Sequence, residues 1–507
     1  MSPSRLVGPC RTSESPARNP LRSRFGLVLA GLVGLVPTVQ ARTWHVSPSG
    51  NDANAGTLAS PFATLQKAHG LTNPGDTVLV RGGVYQTIRP SVDLGGIAIS
   101  RSGSPGKPIR YLAYPGERPV FDFSKLAIST TGGYTHGFYV TGSHLHFRGF
   151  EIRNVPMNTR SNTGMTVRNA SRDTFELMDF HRNSGAGLFL SAGGGGHLVL
   201  NCDAHDNYDP TSHQGDGQNA DGFGVHYQTT GDTTKFIGCR AWWNSDDGWD
   251  LISQEFPVLI ADSWAYGNGF ANSGATRPAD GNGNGFKAGS SKTGIRHTIR
   301  NCVAWRNRAA GFYANHSSGG NTWLNNTSWN NAVAFNMLAS TWDANDNRTD
   351  GVVLSGSKVH ILRNNIGSPN KNTNMAGVDS RNNTWDLGVV PSNADFQSVD
   401  DAGFRGPRTQ EGGLPEIPFL KPRAGGGMVD RGLDVGLPFQ GKAPDLGAHE
   451  YRSSTSVERQ GSGRIPTSGG RFDIAGRRTH APRQGLGIVR WTDYEGRVRH
   501  RLDISIR

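Results

Sequence analysis

Cysteine is scarce: the 507 residues hold four, with no CxxC pair among them. Cys10 falls in an N-terminal leader, and the odd set left behind, Cys202, Cys239 and Cys302, makes neither a disulfide framework nor a zinc site. After residue 41 no segment approaches the ~20 apolar residues that a membrane-spanning helix needs. Apolar content is only 35% and the body shows no amphipathic helical spacing, which excludes a helical bundle.

A basic surface is also missing, despite a formal net charge of +11. The first 41 residues carry five Arg and one Glu, and the segment from Arg452 onward carries twelve Arg and five acids. Residues 42–451 therefore have no net charge, and no nucleic-acid partner is expected. The leader reads as a secretory signal over residues 1–41: "RNPLRSR", then the apolar run "FGLVLAGLVGLV", then "VQA" before Arg42. An exported protein is expected.

What is abundant is glycine, 69 residues, together with a repeated heptad. "NCDAHDN" begins at 201, "GCRAWWN" at 238 and "NCVAWRN" at 301, with relatives "DSWAYGN" at 262, "NNTSWNN" at 325 and "LMDFHRN". Aligned on the cysteine position they fall at 178, 202, 239, 263, 302 and 326, spaced 24, 37, 24, 39 and 24. A period near 24 with short apolar stretches predicts an all-β fold, a parallel β-helix, because leucine-rich repeats of that length need a leucine skeleton that is absent. Asn183, Asn207, Asn244, Asn268, Asn307 and Asn331 are expected to stack as an internal ladder, with the cysteines as small inward-facing core residues.

Each ladder Asn is followed by Gly and an apolar residue, as in "GLFL" at 187, "GFGV" at 222, "GWDL" at 248, "GFKA" at 285 and "GFYA" at 311. In three coils the Gly comes four residues after the Asn; in the two long coils it comes 15 and 17 after, so the extra chain is all in one turn. Insertions confined to one side of a solenoid build its binding face. Residues 43–85 supply a strand, a short helix after Pro61 that caps the solenoid edge, and the first coil strand. The β-helix is expected over 42–451, closing with "DLGAHEY", followed by a linker over 452–470 and a small β module over 471–507.

Strand alternation then places charges. With the residue after each Gly facing the core, the next position faces out, so Asp250 and Lys287 become outward neighbours on adjacent coils. Asp221 and Asp247 stand just before the Gly, also stacked, with Asp246 beside them. Four carboxylates on one or two rungs suit a hard cation held by oxygen, and calcium fits best because it tolerates irregular cages. The competing account takes "SDDG" as an ordinary turn and Lys287 as a solvated lysine.

These residues resemble polysaccharide lyase family nine, the pectate-lyase-like enzymes, over about Thr43 to Tyr451. The specific part is "NADGFGV", "CRAWWNSDDGWDL" and "GNGNGFKAG" in that order and spacing. The resemblance implies a right-handed parallel β-helix, calcium at Asp221, Asp246, Asp247 and Asp250, Lys287 as catalytic base, and an acidic plant cell-wall polysaccharide, homogalacturonan or rhamnogalacturonan, as substrate. β-Elimination removes the C5 proton of a uronate and expels the 4-linked oxygen, for which Lys287 must be neutral. Tyr313, His226, Arg306 and His316 are expected substrate contacts, and the enzyme is expected to act as a monomer. A hydrolase is the first rival but gives Lys287 no role; a carbohydrate-binding or adhesin solenoid is the second. The tail loosely resembles C-terminal sorting modules, which implies surface attachment.

Overall fold

The residue after each repeat glycine does face inward, and the column it forms is the spine of the core. Phe223, Trp249, Phe286, Phe312 and Phe335 pair in register on successive strands, all fully buried. Their rings follow one another at 5.0, 4.7, 5.2 and 4.8 Å, so each coil buries a large apolar surface against the next. The computed structural model describes residues 40–88, 94–128, 133–210, 215–270, 281–289 and 294–452, and two strands near the C-terminus.

Each coil contributes one strand to each of three parallel sheets. Thr234–Ile237, Arg240–Trp242 and Trp249–Ile252 form one coil, and Val258–Ala261, Trp264–Tyr266 and Phe286–Ala288 the next, each strand paired with its counterpart. Among the described residues the first, second and third sheets have twelve, ten and nine strands. Parallel crossovers of this kind wind to the right, so the fold is the expected right-handed parallel β-helix.

The asparagine ladder runs between the second and third sheets. Asn183 donates its amide to Asn207 at 3.0 Å, and the chain continues through Asn244, Asn268, Asn307 and Asn331 at 2.8, 3.0, 2.9 and 3.0 Å. The residue before each ladder Asn is left-handed: Arg182, Asp206, Trp243, Gly267, Arg306 and Asn330 have φ between 51° and 59°. That conformation is unfavourable for most side chains, and the hydrogen bonds of the corner hold it. The recurrent glycine follows from the same crowding: a Cβ on Gly248 would lie 2.5 Å from the Gly285 carbonyl oxygen and 3.0 Å from Asn268 Nδ2.

The three cysteines are buried and free, as core residues. Further along, their column changes character: Asn326, Asn365 and Asn383 form a second ladder, at 3.1 and 2.7 Å. The N-terminal helix, Leu65–His69, is capped by Thr64. Its Gln66 side chain exchanges two 3.1 Å hydrogen bonds with the backbone of Ala98, on the first strand of the third sheet, standing in for a missing neighbour strand.

Regular winding stops earlier than "DLGAHEY". The last strand of the stack is Asp379–Arg381, and residues 384–451 run as an irregular strap back over the second sheet. This explains the tryptophans of the heptads: Trp242, Trp264, Trp305 and Trp329 point outward from the second sheet and are buried under Phe396, Phe404, Phe419 and Leu446. The leader, the linker and most of the terminal module lie outside the described residues; within the module, Gly487–Thr492 pairs antiparallel with Val498–Asp503. No helix among the described residues is long and apolar enough to cross a membrane.

Truncating Asn307 to Ala removes an acceptor used by both the Asn268 backbone and its side chain and a donor to Ala265. The loss should be on the order of 3 kcal/mol, read as a lower urea midpoint. A midpoint equal to that of the parent protein would show that the ladder is decorative.

Candidate active site

On the third sheet the outward positions run Thr166, Phe189, Gly224, Asp250, Lys287 and Tyr313, one per coil, by strand register. Asp250 and Lys287 are thus direct neighbours although 37 positions apart. The two long turns, between Asn207 and Gly222 and between Asn268 and Gly285, bring in Asp221 and Asn282 from either side.

Lys287 Nζ lies 3.1 Å from Asp247 Oδ2, 3.1 Å from Asp250 Oδ2 and 2.7 Å from Asn282 Oδ1. Asp247 is fully buried; its Oδ1 accepts from the Asn284 backbone at 2.6 Å and the Asn284 side chain at 2.9 Å. Asp221 Oδ1 accepts from the Asp247 backbone at 3.1 Å, and Asp246 Oδ1 from the Asn282 backbone at 2.5 Å. The structure therefore brings all four predicted carboxylates and the lysine into one pocket, with the lysine 7% exposed.

Burial and mutual repulsion divide these acids. Burial, then Asp250 and Asp247, push the Asp221 carboxyl well above the usual carboxylate range, and burial with Asp247 and Asp221 does the same to Asp246. Burial also raises Asp247, against the pull of Lys287. Asp250 is desolvated too, yet Lys287 and His226 outweigh that and hold it below its ordinary value. Burial pulls Lys287 down, but the carboxylates of Asp247, Asp250, Asp246 and Asp221 more than offset it and hold the amine protonated.

The donor set fits a divalent metal. Carboxylate oxygens of Asp221, Asp246 and Asp247 lie within 4.8 Å of one another, and donor atoms of Asp221, His226 and Asp250 form a second such group. Asp250 Oδ1 is buried without a hydrogen bond among the described residues. Oxygen predominance favours a hard cation.

The pocket forms one end of a groove of about 790 Å³ that runs over several coils of the third sheet. A smaller cavity of about 400 Å³ beside the cap helix has no carboxylate or basic side chain among the described residues that line it. His226 lines the groove, its Nε2 3.6 Å from Asp250 Oδ2. Tyr313 stands beside Lys287 in register, with its hydroxyl 3.3 Å from His316 Nε2. Arg306 is elsewhere: it occupies the left-handed corner after the second sheet, 3.3 Å from Asp401 of the strap, and does not line the groove. Asn282 and Asn284 were missed as site residues, though a signal existed. Asn284 holds the place before the repeat Gly where Asp221 and Asp247 stand in earlier coils.

Comparison with known proteins agrees with this geometry. The family described as Pel9A-like, right handed beta helix region matches residues 44–383, ending where the second ladder ends. Pectate lyase L of Dickeya dadantii is 36% identical over 411 residues, covering 81% of this chain and 90% of that protein. Pectate lyase PEL9 of Emericella nidulans is 30% identical over 77% of this chain and 95% of its own. Among solved structures, pectate lyase Pel9A superposes with a TM-score of 0.66 at 33% identity, over 82% of this chain and 98% of the other. A rhamnogalacturonan lyase superposes with a TM-score of 0.68 at 32% identity, over 76% and 97%. With a family match spanning the whole stack of coils and relatives alike over most of both chains, the chain belongs to the Pel9A-like right-handed β-helix proteins of polysaccharide lyase family nine.

Proposed function

We propose that the protein is an exported pectate lyase that cleaves polygalacturonate by calcium-dependent β-elimination, with Lys287 as the base. The observation that carries the reading is the buried amine held 3.1 Å from both Asp247 and Asp250 at the end of an open groove. A hydrolase needs a carboxylic acid placed to protonate the leaving oxygen and leaves this lysine idle. The secretory leader suits a substrate found outside the cell.

Asp221, Asp246, Asp247 and Asp250 would hold the calcium, which when bound neutralises the uronate carboxylate and the charge that develops beside it. Lys287 takes the C5 proton. The C–H pair becomes the C4–C5 double bond, the C4–O bond breaks, and the departing oxygen is protonated by solvent. Asn282 and Asp250 orient the amine, while Asn284 fixes Asp247. A rhamnogalacturonan lyase is the second reading, favoured by the equally good superposition on an enzyme of that name. Incubation with each polymer, followed by ultraviolet absorbance of the unsaturated product, separates the two.

Lys287→Ala should lower kcat on polygalacturonate by about 10³-fold or more while calcium still binds by calorimetry; retained turnover removes Lys287 as base. Because only the neutral amine works, and the carboxylates hold its proton in the metal-free protein, kcat/KM should climb with pH into the alkaline range. The rising limb should move to higher pH as calcium is withdrawn, and a profile falling above neutrality would contradict the assignment. Calcium should also raise the melting temperature by binding the folded state. Asp221→Asn should abolish that rise while leaving the metal-free protein at least as stable, since it removes one of the crowded acids; an unaltered calcium response would place the ion elsewhere.

A further inference from the structure

The groove continues well beyond the carboxylates, and its far part has no role in the reaction just described. Counting rungs back from Lys287, the outward column passes Asp250, Gly224, Phe189, Thr166 and Tyr139. At the rung spacing of ~4.8 Å, Thr166 lies roughly 19 Å and Tyr139 roughly 24 Å from the base. The rise per rung is close to the length of one pyranose unit, so a polysaccharide laid along the sheet would meet a new rung with nearly every sugar.

Three features of this stretch are built for a sugar acid. Gly224 leaves a gap that the Phe189 ring covers: a Cβ there would lie 2.6 Å from Phe189 Cδ2. The ring, packed edge-on against His226 at 4.9 Å, makes an apolar floor next to Asp250. Beyond it Arg168 is exposed in the groove, in the outward row of Ser191 and His226. Among the described residues that line the groove it is the arginine, and it forms no ion pair among the described residues, a state it shares with Arg110 and Arg182 elsewhere. The groove then ends on a wall of near-parallel rings, Tyr134, His136 and Tyr139, spaced 5.6 and 6.2 Å with interplanar angles of 17° and 13°.

We infer that Arg168 and the Tyr134–Tyr139 wall form a remote subsite that binds a uronate unit of the same polymer, roughly four sugars from the one that reacts. The inference rests on the pectate reading above and deepens it. A guanidinium without an ion pair among the described residues, in a groove for a polyanion, takes a carboxylate in a bidentate pair. The ring wall, whose Tyr134 is already stacked on His136 and faced by the Arg160 guanidinium at 5.3 Å, offers the adjoining sugar an apolar rim. Chain length then becomes a determinant of affinity: short oligomers fill only the pocket at Lys287, and longer ones reach Arg168.

The test uses the inactive Lys287→Ala protein with calcium present and measures calorimetric binding of oligogalacturonates from trimer to octamer. Affinity should step up once the oligomer is long enough to span the groove. Adding Arg168→Ala should erase that step, weakening the longest oligomers roughly tenfold while the trimer changes less than twofold; Arg168→Lys should restore part of it, and Tyr134→Ala should mimic the loss. Arg168 is exposed on a strand, so its truncation leaves the core intact, which an unchanged melting temperature verifies. An unaltered length dependence in Arg168→Ala, or an equal loss at every length, overturns the subsite. Failure of the Lys287→Ala protein to bind any oligogalacturonate would instead overturn the pectate reading, and the subsite with it.

Discussion

Register between coils is the constraint on which every other property of this protein depends. A parallel stack has no freedom to slide, because a shift of one residue would turn the Phe223–Trp249–Phe286–Phe312 column out to solvent and bring Asp250 and Lys287 into the core. The asparagine ladder enforces the same alignment from the corner, since each side-chain amide bonds the ladder amide of the adjacent coil. Two independent devices, one apolar and one polar, therefore agree on a single placement. That agreement lets the two long turns, 14 residues between Asn207 and Gly222 and 16 between Asn268 and Gly285, be accommodated without disturbing the strands that follow.

The carboxylate pocket is expensive in electrostatic terms. Four buried carboxylates share one amine, and the environment sorts them: Asp250, flanked by Lys287 and His226, keeps its charge, while Asp221 and Asp246 are driven toward the protonated form. A divalent cation at this site would thus compete with protons for the same oxygens. The rest of the protein tolerates this arrangement because the surrounding backbone is fixed by ladders and sheets rather than by the site itself.

Periodic features were legible before the fold was known, and aperiodic ones were not. The Asn, Gly and Cys columns repeat, so they could be aligned, and strand alternation then placed Asp250 beside Lys287. Asn284 could have been found by the same alignment, since it occupies the Asp247 position one coil later. Arg306 was misjudged because alternation applies within strands, and it sits on a left-handed corner whose neighbour, Asp401, comes from a segment with no repeat. For the same reason nothing in the chain announced that residues 384–451 return across the second sheet, or that the heptad tryptophans wait for that cover. The cysteine column offered no warning that it would become an amide ladder at Asn326, Asn365 and Asn383.

The strap changes how the molecule comes apart. Repeat solenoids are stabilised mainly by contacts between neighbours, and their end coils can fray one at a time. Here Arg408 pairs with Asp203, Phe404 accepts from Arg240, Asp401 accepts from Trp305, and Ala448 donates to Thr327. A single segment is bolted to two pairs of neighbouring coils, those of Asp203 and Arg240 and those of Trp305 and Thr327, with the coil of Trp264 between them. Opening any one of them strips cover from the tryptophans of the rest, so a stack that would otherwise peel layer by layer is bound into one cooperative unit, and the groove lies on the sheet that adjoins the covered one across the asparagine corner.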